Sequence, residues 1–124
     1  MTRTFANTTP IFRMFDVEKA REFYCGFLGF AVDFEHRFDD ASPLYMGLEL
    51  GDVELHLSEH HGDATPGSSV RIKVDDLGAY HAAISAKGYR FARPGLIDQS
   101  WGLREMMIDD PFGNRVIFWE PLHG

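Results

Sequence analysis

The side chains able to do chemistry are scattered along the chain. Glu54 and His56 stand two residues apart, so on a strand they share one face, with Ser58 next along it. Glu59-His60-His61 is a second acid–histidine run. Neighbouring loop residues rarely converge on one ion and no third ligand is spaced to help, so this run reads as a solvated loop. His36, His81 and His123 read as surface or helix-face residues for the same want of partners. No Ser-His-Asp or Cys-His arrangement, phosphate-cradling glycine motif or paired-carboxylate motif stands out. Cys25 is the single cysteine and falls inside a helical pattern, where it reads as a small buried hydrophobe. It forbids an internal disulfide, which suits a reducing, cytoplasmic compartment.

The aromatic residues are more suggestive. Eleven Phe, four Tyr and two Trp amount to 14% of the chain, enough to line a pocket as well as fill a core. Trp101 sits in the turn Gln99-Ser100-Trp101-Gly102, and loops run over the surface, so its indole needs a partner subunit or a flat ligand to cover it. Phe34 ends a strand pattern, Phe38 lies in the polar run His36-Arg37-Phe38-Asp39-Asp40, and Tyr45 follows. Core packing or a dimer contact is the alternative for each ring. Asp33, Asp39, Asp40 and Glu54 surround this set in sequence, and a negative pocket with flat π surfaces suits a planar cation. Arg104 and Glu105 are consecutive on a strand and point to opposite faces, which leaves open which of them meets a groove. Trp119, in the last apolar run, reads as core.

These residues hang on a repeated framework. A strand over Thr8–Phe15 leads to Asp16, which can cap a helix carrying Val17, Ala20, Phe23, Tyr24, Phe27 and Leu28 on one face and closing at Gly29. Strands follow over Phe30–Phe34, Leu44–Leu50 and Val53–Ser58, the last two joined by the hairpin loop Gly51-Asp52. The order then recurs. Val70–Val74 is a strand, Asp75 precedes a helix with Leu77, Tyr80 and Ile84 on one face, and Gly88 ends it. At a constant offset of 59, Ile11 matches Val70, Ala20 matches Ala79 and Phe30 matches Tyr89. Leu103–Ile108 and Val116–Glu120 are two further strands joined by a turn-rich segment. The chain thus reads as one α+β domain over 1–124, with one β-α-β-β-β module at about 8–58 and another at about 69–121.

Composition bounds the rest. A chain of 124 residues, 44% hydrophobic and 25% charged, makes one ordinary globular domain. Its net charge of −7 argues against nucleic acid or an anionic membrane as partner. Apolar runs stop at four residues, far short of a membrane span, and Met1–Phe5 shows no apolar signal core.

The repeat resembles the vicinal oxygen chelate superfamily of glyoxalase I, extradiol dioxygenases and fosfomycin and bleomycin resistance proteins. The general signatures are Asp16-Val17-x-x-Ala20-x-x-Phe23-Tyr24-x-x-x-Leu28-Gly29-Phe30 and Asp110-Pro111-x-Gly113-Asn114. A narrower resemblance is to the bleomycin resistance proteins, through Pro10, Gly29-Phe30-x-x-Asp33-Phe34 and above all Ser100-Trp101-Gly102-x-Arg104-Glu105. The stretch Ala41–Gly47 and the Glu59-His60-His61 loop depart from the pattern. The resemblance implies duplicated modules forming curved, half-barrel mixed sheets. It also implies a homodimer that exchanges its N-terminal strand around Pro10.

In the superfamily's enzymes a divalent ion is held from four inward strand positions, which the resemblance carries onto Pro10, Glu54, Ser69 and Ile117. Of these only Glu54 is a good ligand, so no metal and no other cofactor is expected. The resemblance further implies a ligand clamped between aromatic side chains in a groove shared by two subunits. That places Trp101, Phe34 and Phe38 around it, with Asp33, Ser58, Glu54, His56 and Arg104 as polar contacts. The expected function is a metal-free protein that sequesters a planar cationic antibiotic of the bleomycin type without catalysis. The alternatives are a glyoxalase- or dioxygenase-like enzyme and a binding module for a metabolite.

Overall fold

The computed structural model describes residues 4–122; the N-terminal residues Met1–Arg3 and the reading of His123 lie outside them. Eight strands form two open, four-stranded mixed sheets. In the first, β1 (Ile11–Arg13), β4 (Val53–Ser58), β3 (Tyr45–Leu50) and β2 (Ala31–His36) lie side by side in that order. In the second, β5 (Ser69–Lys73), β8 (Arg115–Pro121), β7 (Leu103–Asp109) and β6 (Ile97–Asp98) repeat the same permutation. The outer strand pairs parallel and the rest antiparallel in both, as duplication requires.

Each half starts its helix at an aspartate. Asp16 Oδ1 accepts from the Lys19 N–H, and Asp76 Oδ1, rather than Asp75, accepts from the Ala79 N–H to open α2 (Leu77–Ser85). The first helix keeps α geometry only over α1 (Val17–Ala20) and then widens into a π-helical stretch, Arg21–Phe27. Its wider turns give lateral room to the rings of Phe23, Tyr24 and Phe27, which all bury here. Gly29 and Gly88 then end the two helices at φ +93° and +66°, where a side chain would be strained.

Two expected elements differ. β1 is only three residues long, not Thr8–Phe15. No strand forms at Tyr89; its ring stacks on Phe27 instead, at 4.7 Å, and Pro94, which has no N–H to offer a ladder, delays the pairing until Ile97.

Alternation sorts each strand into two faces. Phe12, Leu55, Leu57, Met46 and Leu48 from the first sheet, with Met106, Ile108, Val116 and Phe118 from the second, point toward the helices and share one core. The halves are tied within it by polar bonds. Tyr24 Oη donates to Asp110 Oδ2 at 2.6 Å, Asn114 Nδ2 to the Arg13 carbonyl at 2.9 Å, and Tyr80 Oη to the Leu28 carbonyl at 2.6 Å. Among the described residues no helix is long and apolar enough to cross a membrane.

Candidate functional site

The faces turned away from the helices carry the chemistry. On the first sheet the register sets out rows of side chains. Arg13, Ser58, Tyr45 and His36 lie across one row, and Ile11, His56, Gly47 and Phe34 across the next. Glu54 and Glu49 face each other in a third. Gly47 is the device that shapes the surface: a Cβ there would stand 2.2 Å from the Phe34 ring. Its missing side chain lets the ring lie down on the sheet. Phe34 then stacks with Tyr45, centroids 6.1 Å apart, and meets the edge of His56 at 5.2 Å. The result is a continuous aromatic platform.

Polar groups hold the platform in place. Tyr45 Oη lies 2.7 Å from His56 Nδ1. Burial, and then the charges of Asp63 and Glu54, push the Tyr45 phenol up from its ordinary value, so it stays protonated and donates. His56 Nε2 is an enclosed atom 3.6 Å from Glu54 Oε2. Thr9 Oγ1 donates to that same carboxylate oxygen at 3.0 Å. Ser58 is fully buried; its hydroxyl donates to Asp63 Oδ2 at 2.7 Å and accepts from the His60 N–H.

The second sheet presents Leu103, Glu105, Met107 and Asp109 beside Trp119, Ile117 and Arg115. Glu105 is 1% exposed, accepting from Arg71 at 2.6 Å and from Gln99 Nε2 at 3.0 Å. The Arg71 guanidinium, helped by Gln99 and the Trp101 indole, holds its carboxyl below the ordinary value despite burial. Trp101 stands on the neighbouring turn, 63% exposed. That turn is closed by the Gln99 N–H donating to the Leu103 carbonyl and the Gly102 N–H to the Gln99 carbonyl.

The structure thus gathers Phe34, Glu54, His56 and Ser58 on one sheet face and places Trp101 beside the other. Phe38 stands apart, 83% exposed in the β2–β3 loop with the His36 ring edge-on to it. Asp33 sits at the bulge in the β2 edge between Val32 and Phe34, exposed to water. Arg104 lies on the helix side of its sheet, donating to Asp98 and near Glu120, so of the consecutive pair it is Glu105 that faces the groove.

Three residues were misjudged or passed over in the sequence. Trp119 is not core; it is half-buried on the Glu105 face, with Arg71 and Lys73 over its ring. Its alternation with the buried Val116 and Phe118 would have revealed this. Tyr45 and Gly47 complete the platform, and only the cross-strand register brings them to Phe34.

The donor set does not fit a divalent ion. Pro10 offers only a carbonyl, which accepts from the His56 N–H, and Ile117 offers nothing. Among the described residues no three His, Cys, Asp or Glu side chains gather as a metal site would require.

A family model described as glyoxalase superfamily protein matches residues 2–124. The chain belongs to the glyoxalase superfamily. Solved structures agree with this placement in the superfamily. The bleomycin-binding protein of bleomycin-producing Streptomyces verticillus, complexed with copper(II)-bleomycin, is 29% identical, with 94% of this chain and 97% of that one covered and a TM-score of 0.68. The bleomycin resistance determinant encoded on the transposon Tn5 is 24% identical over 94% and 98%, with a TM-score of 0.72. TnmS3, an antibiotic binding protein from Streptomyces sp. CB03234, is 21% identical over 97% and 99%, also at 0.72. No curated protein matches by sequence.

Proposed function

We propose that this superfamily member is a metal-free binding protein that sequesters a planar cationic antibiotic of the bleomycin type in the cytoplasm, without making or breaking a bond. The observation that carries the reading is the Phe34 ring laid over Gly47 and stacked with Tyr45, with His56 edge-on to both and the Glu54 carboxylate at its border. Flat rings supply stacking area and the carboxylate supplies attraction for a cation. The resemblance in fold to a bleomycin-binding protein and to an antibiotic binding protein supports the same reading. In this proposal Trp101 supplies the second wall, from a partner subunit's groove-forming face.

Isothermal calorimetry with metal-free bleomycin and a panel of planar cations tests it. Stoichiometric binding is expected, with Phe34→Ala and Trp101→Ala each weakening it by about one to two decades, since stacking contributes roughly 1–3 kcal/mol and ~1.4 kcal/mol is tenfold. Trp101→Ala also takes the indole N–H from the buried Glu105 carboxylate, so its melting temperature is expected to fall modestly while the affinity falls by decades. No heat with any planar cation would overturn the proposal.

A further inference from the structure

Arg13 stands at the end of the aromatic platform. It faces the same side as Ser58 and Tyr45, one row from His56 and Phe34. Its guanidinium is set in place by the Phe15 ring, 4.7 Å from centroid to Cζ. Phe15 is in turn braced edge-on by Phe112. Yet Arg13 Nε is enclosed and has no hydrogen-bond partner. Among the described residues no carboxylate comes within ion-pair reach of Arg13, in a chain whose net charge is −7.

A pre-positioned guanidinium with an unused donor is an incomplete interaction, because buried donors are almost always satisfied. Around it lies an open pocket of about 420 Å³ shared with Phe15, Arg37, Ser42 and Glu59. Arg37 makes one long bond, Nη1 to the Asp40 carbonyl at 3.3 Å, which leaves most of its donors free for something else. The one carboxylate in the pocket is already engaged, Glu59 Oε1 accepting from the Leu44 N–H at 2.9 Å. Two guanidinium groups thus line the pocket against one carboxylate, and neither is ion-paired to it.

We infer that Arg13, backed by Arg37, forms an anion subsite at the rim of the platform, and that the ligand is a flat aromatic compound bearing an acidic group, a carboxylate or phosphate. The inference about ligand class rests on the aromatic-binding reading; the subsite itself does not. Guanidinium matches either oxyanion through paired N–H donors. The acidic group would lie beside Ser58 and Tyr45 while the ring covers Phe34. Glu54, two rows away, remains available for a cationic arm, so the ligand expected here is zwitterionic.

Two titrations separate the claims. In the first, inorganic phosphate is added while the arginine Nε–H resonances are followed by NMR. The Arg13 resonance is expected to shift saturably, to do so little in Arg37→Gln, and to be matched by no shift at Arg90, which serves as the distant control. A phosphate response equal at all arginines, or none at Arg13, overturns the subsite. In the second, proflavine and the same ring carrying one carboxylate are compared by fluorescence. The carboxylated ring is expected to bind about tenfold tighter or better, as a charge-assisted pair would give, with the advantage lost in Arg13→Gln. If both rings bind equally well the acidic-ligand claim is wrong. If neither binds while phosphate still moves Arg13, the aromatic-binding reading fails and the anion site stands.

Discussion

At Glu105 a carboxylate is almost sealed from water by an arginine, a glutamine amide and an indole, and it is stable there only while charged. Its folded value lies below the ordinary 4.5, so its contribution to stability is complete above that value and drains away as pH falls through the folded one. Acid denaturation of the wild type should therefore steepen below about pH 4.5. Glu105→Gln should be less stable at neutral pH but show a flatter acid limb, which circular dichroism against pH will read. Gly47 acts by what it lacks. Gly47→Ala sets a methyl against the Phe34 ring and must tilt it off the sheet. The half-exposed ring can swing outward, so the stability cost should be about 1 kcal/mol, while affinity for a planar cation should fall as far as in Phe34→Ala. Equal affinity in Gly47→Ala would mean that the flat ring is not what the ligand needs.

At the scale of elements, the widened first helix and the β7–β8 turn are coupled through one buried bond. Asp110 Oδ1 accepts from the Phe112 and Asn114 N–H groups while Oδ2 takes the Tyr24 hydroxyl and Asn114 Nδ2. The turn before the last strand of the second module is thereby fastened to the helix of the first. Tyr24→Phe removes one donor and leaves a carboxylate oxygen with a partner still in place, at a cost of about 1–3 kcal/mol. Asp110→Ala strands four donors and should cost more. Urea unfolding is expected to show a single transition in both variants, because the halves share one apolar core. Two separated transitions would show that the modules fold independently.

The whole molecule leaves its two inner faces open. Ile11 and Phe34 on the first, and Ile97, Trp101 and Met107 on the second, are large apolar side chains left substantially in water. Glu49 and Glu54 on one face complement Lys73 on the other, whose ammonium lies over the Trp119 ring. Such faces are expected to cover one another in a homodimer. Light scattering should return twice the 14.1 kDa of the chain at micromolar concentration, and half that value would refute the pairing. In the proposed binding mode a second copy would bring Trp101 and the Phe34 platform, which lie on different sheets, to one groove.

Local chemistry was legible without coordinates where the rule is local. The aspartate before the first helix, the glycine after each, and the offset of 59 between halves follow from caps and periodicity and foretold the duplicated α+β architecture, although the second cap falls at Asp76 and not Asp75. Period-two alternation likewise set Glu54, His56 and Ser58 on one face. Contacts across strands were not legible, since register depends on which residues of distant segments meet. So Tyr45 and Gly47 joined Phe34 only in the folded sheet, Arg104 turned to the helix side, and Trp119 left the core it was assigned. A strand pattern reveals that two faces exist; only packing against helices decides which of them is buried, and only the folded register decides which side chains share the other.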